Sequence, residues 1–82
     1  MKIKITLYGR YKKLTETGQL ELTVPENATV WHLIDTFVQK YPTLTKDKNR
    51  MMVTKNNTFA PPTTHIHTND AISIAPPLVS GG

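Results

Sequence analysis

The stretch TVWHLIDTFVQKYP, Thr29 to Pro42, organises the reading of the rest of the chain. Val30, Leu33, Ile34, Phe37, Val38 and Tyr41 fall at i, i+3, i+4, i+7, i+8 and i+11, a single apolar stripe of an amphipathic helix. His32, Asp35, Thr36, Gln39 and Lys40 are expected to face water. Thr29 suits the N-cap, because its hydroxyl can accept from a free N–H of the first turn. Pro42 ends the helix, since its ring disfavours helical geometry at Tyr41. No other segment carries this period. One helix covers one side of a sheet, so the flanking strands must form a sheet with one buried and one wet face.

Upstream, Ile3, Ile5 and Leu7 alternate with Lys2, Lys4, Thr6 and Tyr8. That period of two is a half-buried strand. Leu20, Leu22 and Val24 form a second, antiparallel to the first and stopped by Pro25. The polar segment between them, Gly9 to Gln19, reads as a turn around Lys12, Lys13 and Gly18. Downstream, Thr43 to Arg50 reads as a loop. Met51 to Lys55 is a short strand, Asn56-Asn57 a turn, and Thr58 to Ala60 its return, broken by Pro61-Pro62. Ile66 is an isolated apolar anchor before the turn at Thr68-Asn69-Asp70. Ile72 and Ile74 point inward from a last strand, Ala71 to Ala75. The expected architecture is α+β: a mixed sheet of about four to five strands on one main helix, in a domain spanning 1–77, with a flexible tail at 78–82.

With 82 residues this is one domain. It buries little more than ~60% of its unfolded surface, so a deep enzyme cleft is not expected. There is no cysteine, which excludes disulfides, thiolate metal sites and a thiol nucleophile. No apolar run approaches the ~20 residues of a membrane span, and the N-terminus has no signal-like apolar block, so the expected location is the cytoplasm and no membrane partner is expected. The formal charge of +4 is scattered along the sequence rather than gathered in a tract.

Side-chain chemistry is sparse. No phosphate loop, nucleophile–base spacing or carboxylate pair appears. His65 and His67 share a strand face without a third ligand and read as surface histidines, so no metal site is expected. Trp31 reads as a core-edge residue, Met51 and Met52 as core and its margin, and Lys12 and Lys13 with Tyr11 as a solvated loop. The terminus is different. Pro76-Pro77 favours an extended chain leaving the sheet. The segment Pro76 to Gly82 has no charged side chain, and Gly81 and Gly82 can thread a channel too narrow for other residues. Five residues beyond Pro77 reach about 17 Å when extended. The group delivered is the α-carboxylate of Gly82.

These features together resemble the ubiquitin-like β-grasp sulfur carriers of the MoaD/ThiS family, and most of all the small subunits of molybdopterin synthase. The matching residues are Leu7-Tyr8-Gly9, Leu14 and Gly18, the helix Val30 to Tyr41, Asn56-Asn57, Ile66 with Thr68-Asn69-Asp70, and the closing Pro76-Pro77 and Gly81-Gly82. The likeness spans the whole chain. Three residues, Leu78, Val79 and Ser80, separate Pro-Pro from Gly-Gly where the family commonly has two; Ala75 replaces a frequent aromatic and Asn69 a turn glycine.

The resemblance implies a carrier rather than a catalyst. An adenylyltransferase of the ubiquitin-activating type would use ATP to adenylate Gly82, and sulfur would then replace AMP to give a thiocarboxylate. No cofactor would be bound permanently. The tail, Pro76 to Gly82, would enter a synthase large subunit, where the sulfur builds the dithiolene that holds molybdenum or tungsten. The wet sheet face, with Tyr8, Ser73 and Ala75, would dock the partners. Other carriers of this fold serve thiamine synthesis or tRNA thiolation, or modify proteins. A β-grasp RNA-binding module is a further alternative, resting on Lys2, Lys4 and Tyr8, but nucleic acid is not the expected partner.

Overall fold

A computed structural model of the protein describes residues 1–77. Along the chain come β1 (Lys2–Leu7), α1 (Arg10–Thr15), β2 (Gln19–Thr23), α2 (Val30–Lys40), a 3-10 helix (Pro42–Asp47), β3 (Met52–Lys55), β4 (Thr58–Phe59) and β5 (Ile72–Ala75). The sheet order is β2-β1-β5-β3-β4. β1 and β5, the first and last strands, lie side by side and parallel, with Ile5, Thr6 and Leu7 opposite Ile72, Ser73 and Ile74. The remaining pairs are antiparallel. This is the β-grasp arrangement, α+β, with α2 as the main helix.

The alternation in β1 sends Ile3, Ile5 and Leu7 into the core, where they meet Ile72 and Ile74 of β5 and Val53 of β3. α2 closes that core with Val30, Leu33, Ile34, Phe37 and Val38, all buried. Each such side chain contributes about 1.5–3 kcal/mol relative to its exposed state. Thr29 caps α2, as its position suggests, and His32 completes the cap: Nδ1 of the ring accepts the Thr29 backbone N–H at 3.0 Å. His32 thus takes the place usually filled by Glu or Gln in a reciprocal cap. Asn56 and Asn57 turn the β3–β4 hairpin with φ of 53° and 69°. Ile66 is fully buried and ties its loop to the start of α2 by donating its N–H to the Ala28 carbonyl at 3.0 Å.

Two segments differ from their sequence reading. Gly9 to Gln19 is not a plain turn: it contains α1. Gly9 swings the chain out of β1 at φ 60° and ψ −137°, and Glu16 ends the helix in the left-handed region. Tyr11, read as part of a solvated loop, is fully buried, with its ring edge-on to Phe37 at 5.7 Å. A helix this short turns only one large side chain inward, so it has no apolar period to read. Thr43 to Arg50 likewise contains the 3-10 helix, which buries Leu44 and Asp47.

Asp47 explains why both segments order. Its carboxylate accepts from Arg10 at 2.5 Å and from the Tyr11 hydroxyl at 2.9 Å, and Arg50 stands 3.8 Å away. Burial alone pushes this carboxyl up. The hydrogen bonds from Arg10 and Tyr11 and the nearby guanidinium charges outweigh it, and the carboxyl stays below its ordinary range. Tyr11 is pushed up, first by burial and then by its bond to that carboxylate. No buried side-chain nitrogen or oxygen lacks a partner among the described residues.

Candidate functional site

β5 runs along the centre of the sheet and ends at Ala75, so the chain beyond it leaves from the middle of one end of the molecule. The exit is built by Gly9. The Tyr8 N–H donates to the Ile74 carbonyl at 3.3 Å, extending the β1–β5 pairing by one step. Pro76 then packs on Gly9 so closely that a Cβ there would lie 3.2 Å from Pro76 Cγ and 3.4 Å from its Cδ. The positive φ and this contact both call for glycine. Ala75, Pro76 and Pro77 are each half-buried.

The wet face of the sheet begins at this exit. Register carries Tyr8 beside Ala75, and Ala75 lies opposite Met52. The next row is Thr6, Ser73, Thr54 and Phe59. Thr54 and Ser73 hydrogen-bond to each other across the strands. Tyr8 (54% exposed), Met52 (38%) and Phe59 (62%) make this an apolar surface with small residues between its large ones. Such a patch on a small domain marks a contact surface.

Of the residues assigned to docking from the sequence, Tyr8, Ala75, Pro76 and Pro77 come together here. Leu78, Val79, Ser80, Gly81 and Gly82 lie outside the described residues. Sequence reasoning missed three members. Gly9 was one of the residues carrying the family resemblance but had no assigned role. Met52 was read as the margin of the core. Phe59 has no role in the sequence reading. A signal existed for Phe59: a two-residue Asn-Asn turn sets Lys55 against Thr58 and therefore Thr54 against Phe59, on the face opposite Val53.

The other candidates sit elsewhere. His65 Nδ1 lies 3.0 Å from the Asn27 carbonyl, and His67 lies beside Asp70 at 3.5 Å. Among the described residues no group of three or more metal-ligating side chains converges. Trp31 is 37% exposed, at the edge of the core, with the Lys48 ammonium 5.0 Å above its ring. Lys4 is exposed on the wet face, but Glu21 stands directly opposite it and offsets its charge. No helix among the described residues is long and apolar enough to cross a membrane.

The parallel first and last strands of the sheet thus bring the end of β5 beside an exposed apolar face. The model of the ThiS family matches residues 5–82. The chain belongs to the ThiS family. This ThiS-family chain is 28% identical, over its full length and 84% of the relative's, to the molybdopterin synthase sulfur carrier subunit of Arabidopsis thaliana. Its fold is similar to that of SAMP1 from Haloferax volcanii (TM-score 0.81, 21% identity, all of both chains covered). It is also similar to a chain in the complex of subunits 1 and 2 of the molybdopterin-converting factor from Helicobacter pylori (TM-score 0.62, 18% identity, 99% of this chain and 100% of that one). The expected ubiquitin-like β-grasp fold of the MoaD/ThiS type is therefore the observed one.

Proposed function

We propose that this chain is the sulfur-carrier small subunit of a molybdopterin synthase, working as a C-terminal thiocarboxylate on Gly82. The observation that carries the reading is the exit at Gly9 and Pro76, which roots the last residues at the end of a central strand next to an exposed apolar face. The relative from Arabidopsis and the two-subunit complex from Helicobacter support the choice of pathway.

The chemistry needs little from this chain beyond its main-chain carboxylate. An adenylyltransferase positions ATP; a Gly82 carboxylate oxygen attacks the α-phosphorus and pyrophosphate leaves. A sulfur nucleophile supplied through that enzyme then attacks the acyl carbon and AMP leaves, giving the thiocarboxylate. In the synthase the thiocarboxylate sulfur bonds to a pterin precursor, and water then cleaves its bond to the Gly82 acyl carbon, restoring the carboxylate. The residues Leu78 to Gly82 carry no charged side chain that a channel would have to desolvate. The carboxylate itself finds its cationic partner in the other subunit. Tyr8, Met52, Phe59 and Ala75 form the seat for the partner, with the polar Thr6, Ser73 and Thr54 among them.

The test is intact-mass analysis after incubation with ATP, the adenylyltransferase and a sulfur source. The expected result is a gain equal to exchanging one oxygen for one sulfur, abolished by deleting Gly82. A ladder of lysine conjugates, or association with a thiazole synthase instead of a synthase large subunit, would overturn the assignment to molybdopterin.

A further inference from the structure

The positive charge that is dispersed along the sequence is gathered in space. β1 runs toward the tail exit and so does α2, and the elements that follow each of them lie at that end. Six of the seven lysines and arginines between residues 9 and 51 therefore cluster there, against Glu16 and Asp47, while Lys48 turns back along α2 to pair with Asp35 over the Trp31 ring. In the rest of the molecule the formal charges of Lys2, Lys4, Lys48 and Lys55 are balanced by Glu21, Glu26, Asp35 and Asp70. The whole formal excess of +4 thus belongs to the exit end.

An open cleft of about 680 Å³ lies within this region, between α1 and the 3-10 helix. Its apolar part is Leu14, 48% exposed, backed by buried Leu44. Lys13, Lys46, Arg10 and Arg50 surround it, and all four are exposed. Asp47 at its base is already engaged by Arg10 and Tyr11. Leu14 has no role in the core, although the helix that carries it is held in place by Tyr11. An exposed apolar side chain ringed by cations has the anatomy of an interface anchor with a charged rim.

We propose that this cleft docks an acidic segment, bearing an apolar side chain, of the adenylating enzyme that encloses the tail. The proposal rests on the carrier reading above. Arg10 directly follows Gly9, on which Pro76 packs, so a protein that grips the exit reaches the cleft from the side opposite the wet sheet face. The charges stand apart on flexible stems around an apolar centre, which fits several carboxylates on a protein surface. A compact phosphate would meet the Asp47 carboxylate at the base. A nucleic acid would find no aromatic side chain lining the cleft on which to stack a base. Steering by the cluster brings the enzyme to the exit end, and Leu14 holds it there.

The decisive measurement is association kinetics between the full chain and its adenylating enzyme, with intact-mass readout of Gly82 in parallel. Lys13 and Lys46 form no ion pair among the described residues, so reversing both (K13E with K46E) leaves the fold intact. The association rate should fall by about tenfold or more at low salt, with the gap closing as ionic strength rises. L14S should instead speed dissociation by about threefold or more at an unchanged association rate. Both variants should reach full thiocarboxylation at saturating enzyme. Association rates within twofold of the wild type, for a wild type that is normally charged with sulfur, overturn the cleft and leave the carrier reading standing. A wild type that neither binds the enzyme nor gains sulfur overturns both. Salt-sensitive retention of the wild type on single-stranded RNA, lost in K13E with K46E while enzyme binding is unchanged, reassigns the cleft to nucleic acid and also overturns the proposal.

Discussion

Replacing Gly9 with alanine tests the exit at the point where two demands meet. The residue sits at φ 60° and ψ −137°, a conformation that L-residues rarely adopt and that costs about 1–3 kcal/mol to hold. The added Cβ also lies 3.2 Å and 3.4 Å from two ring atoms of Pro76, so the ring must give by a few tenths of an ångström. Together these destabilise the domain by about 2 kcal/mol, which for a chain of this size lowers Tm by about 8–16 °C. Urea denaturation and calorimetry read that loss. A chemically made chain with D-alanine at position 9 separates backbone from contact. For a D-residue the same angles mirror polyproline II geometry, which is comfortable, and its Cβ points away from the position that meets Pro76. D-alanine should therefore leave Tm within a few degrees of the wild type. If L-alanine costs under about 0.5 kcal/mol, or D-alanine costs as much as L-alanine, then neither the backbone angle nor the proline seat is what selects glycine here.

Asp47→Ala leaves the buried Tyr11 hydroxyl without its acceptor and should destabilise by about 1–3 kcal/mol in denaturant melts. Asp47 and Asp70 are both held below the ordinary value of 3.8, so the stability they contribute is complete above that value and lost as pH falls through their folded values. Tm should be flat from pH 5 to 8 and drop below about pH 4, and Asp47→Ala should flatten that drop; an unchanged acid limb would remove Asp47 from the explanation. Phe37→Ala empties a site packed edge-on by both Tyr11 and Tyr41 and should cost about 3–5 kcal/mol by urea unfolding. Ala75→Asp places a charge at the centre of the apolar face; Tm should hold, while calorimetric affinity for the synthase large subunit falls by tenfold or more. Equal affinity would reject that face as the seat.

The fold was legible where burial imposes a period. The stripe of α2 and the alternation in β1, β2 and β5 specify one-sided elements, and a single helix with a single-faced sheet leaves few ways to pack. The Asn56-Asn57 turn was legible because its residues tolerate positive φ. α1 and the 3-10 helix were not, since their order comes from Asp47 gathering Arg10 and Tyr11 across 36 and 37 residues of chain. A long-range polar contact leaves no local pattern. The same limit applies to the site. Tyr8 and Ala75 follow from strand alternation next to Pro76, but Met52 and Phe59 join them only once β3 is placed against β5. The charge cluster is a product of topology alone, because the sequence distributes its members over some forty positions.

The parallel pairing of β1 with β5 has a mechanical consequence. A pull applied to the chain beyond Pro77, against an anchor at the start of β1, runs along both strands in opposite directions. The load then falls on all the hydrogen bonds between them at once, in shear, instead of opening them one after another as a hairpin peels. Under that load the parallel β1–β5 pair withstands more force than an antiparallel pair of the same length, whose bonds would break in turn.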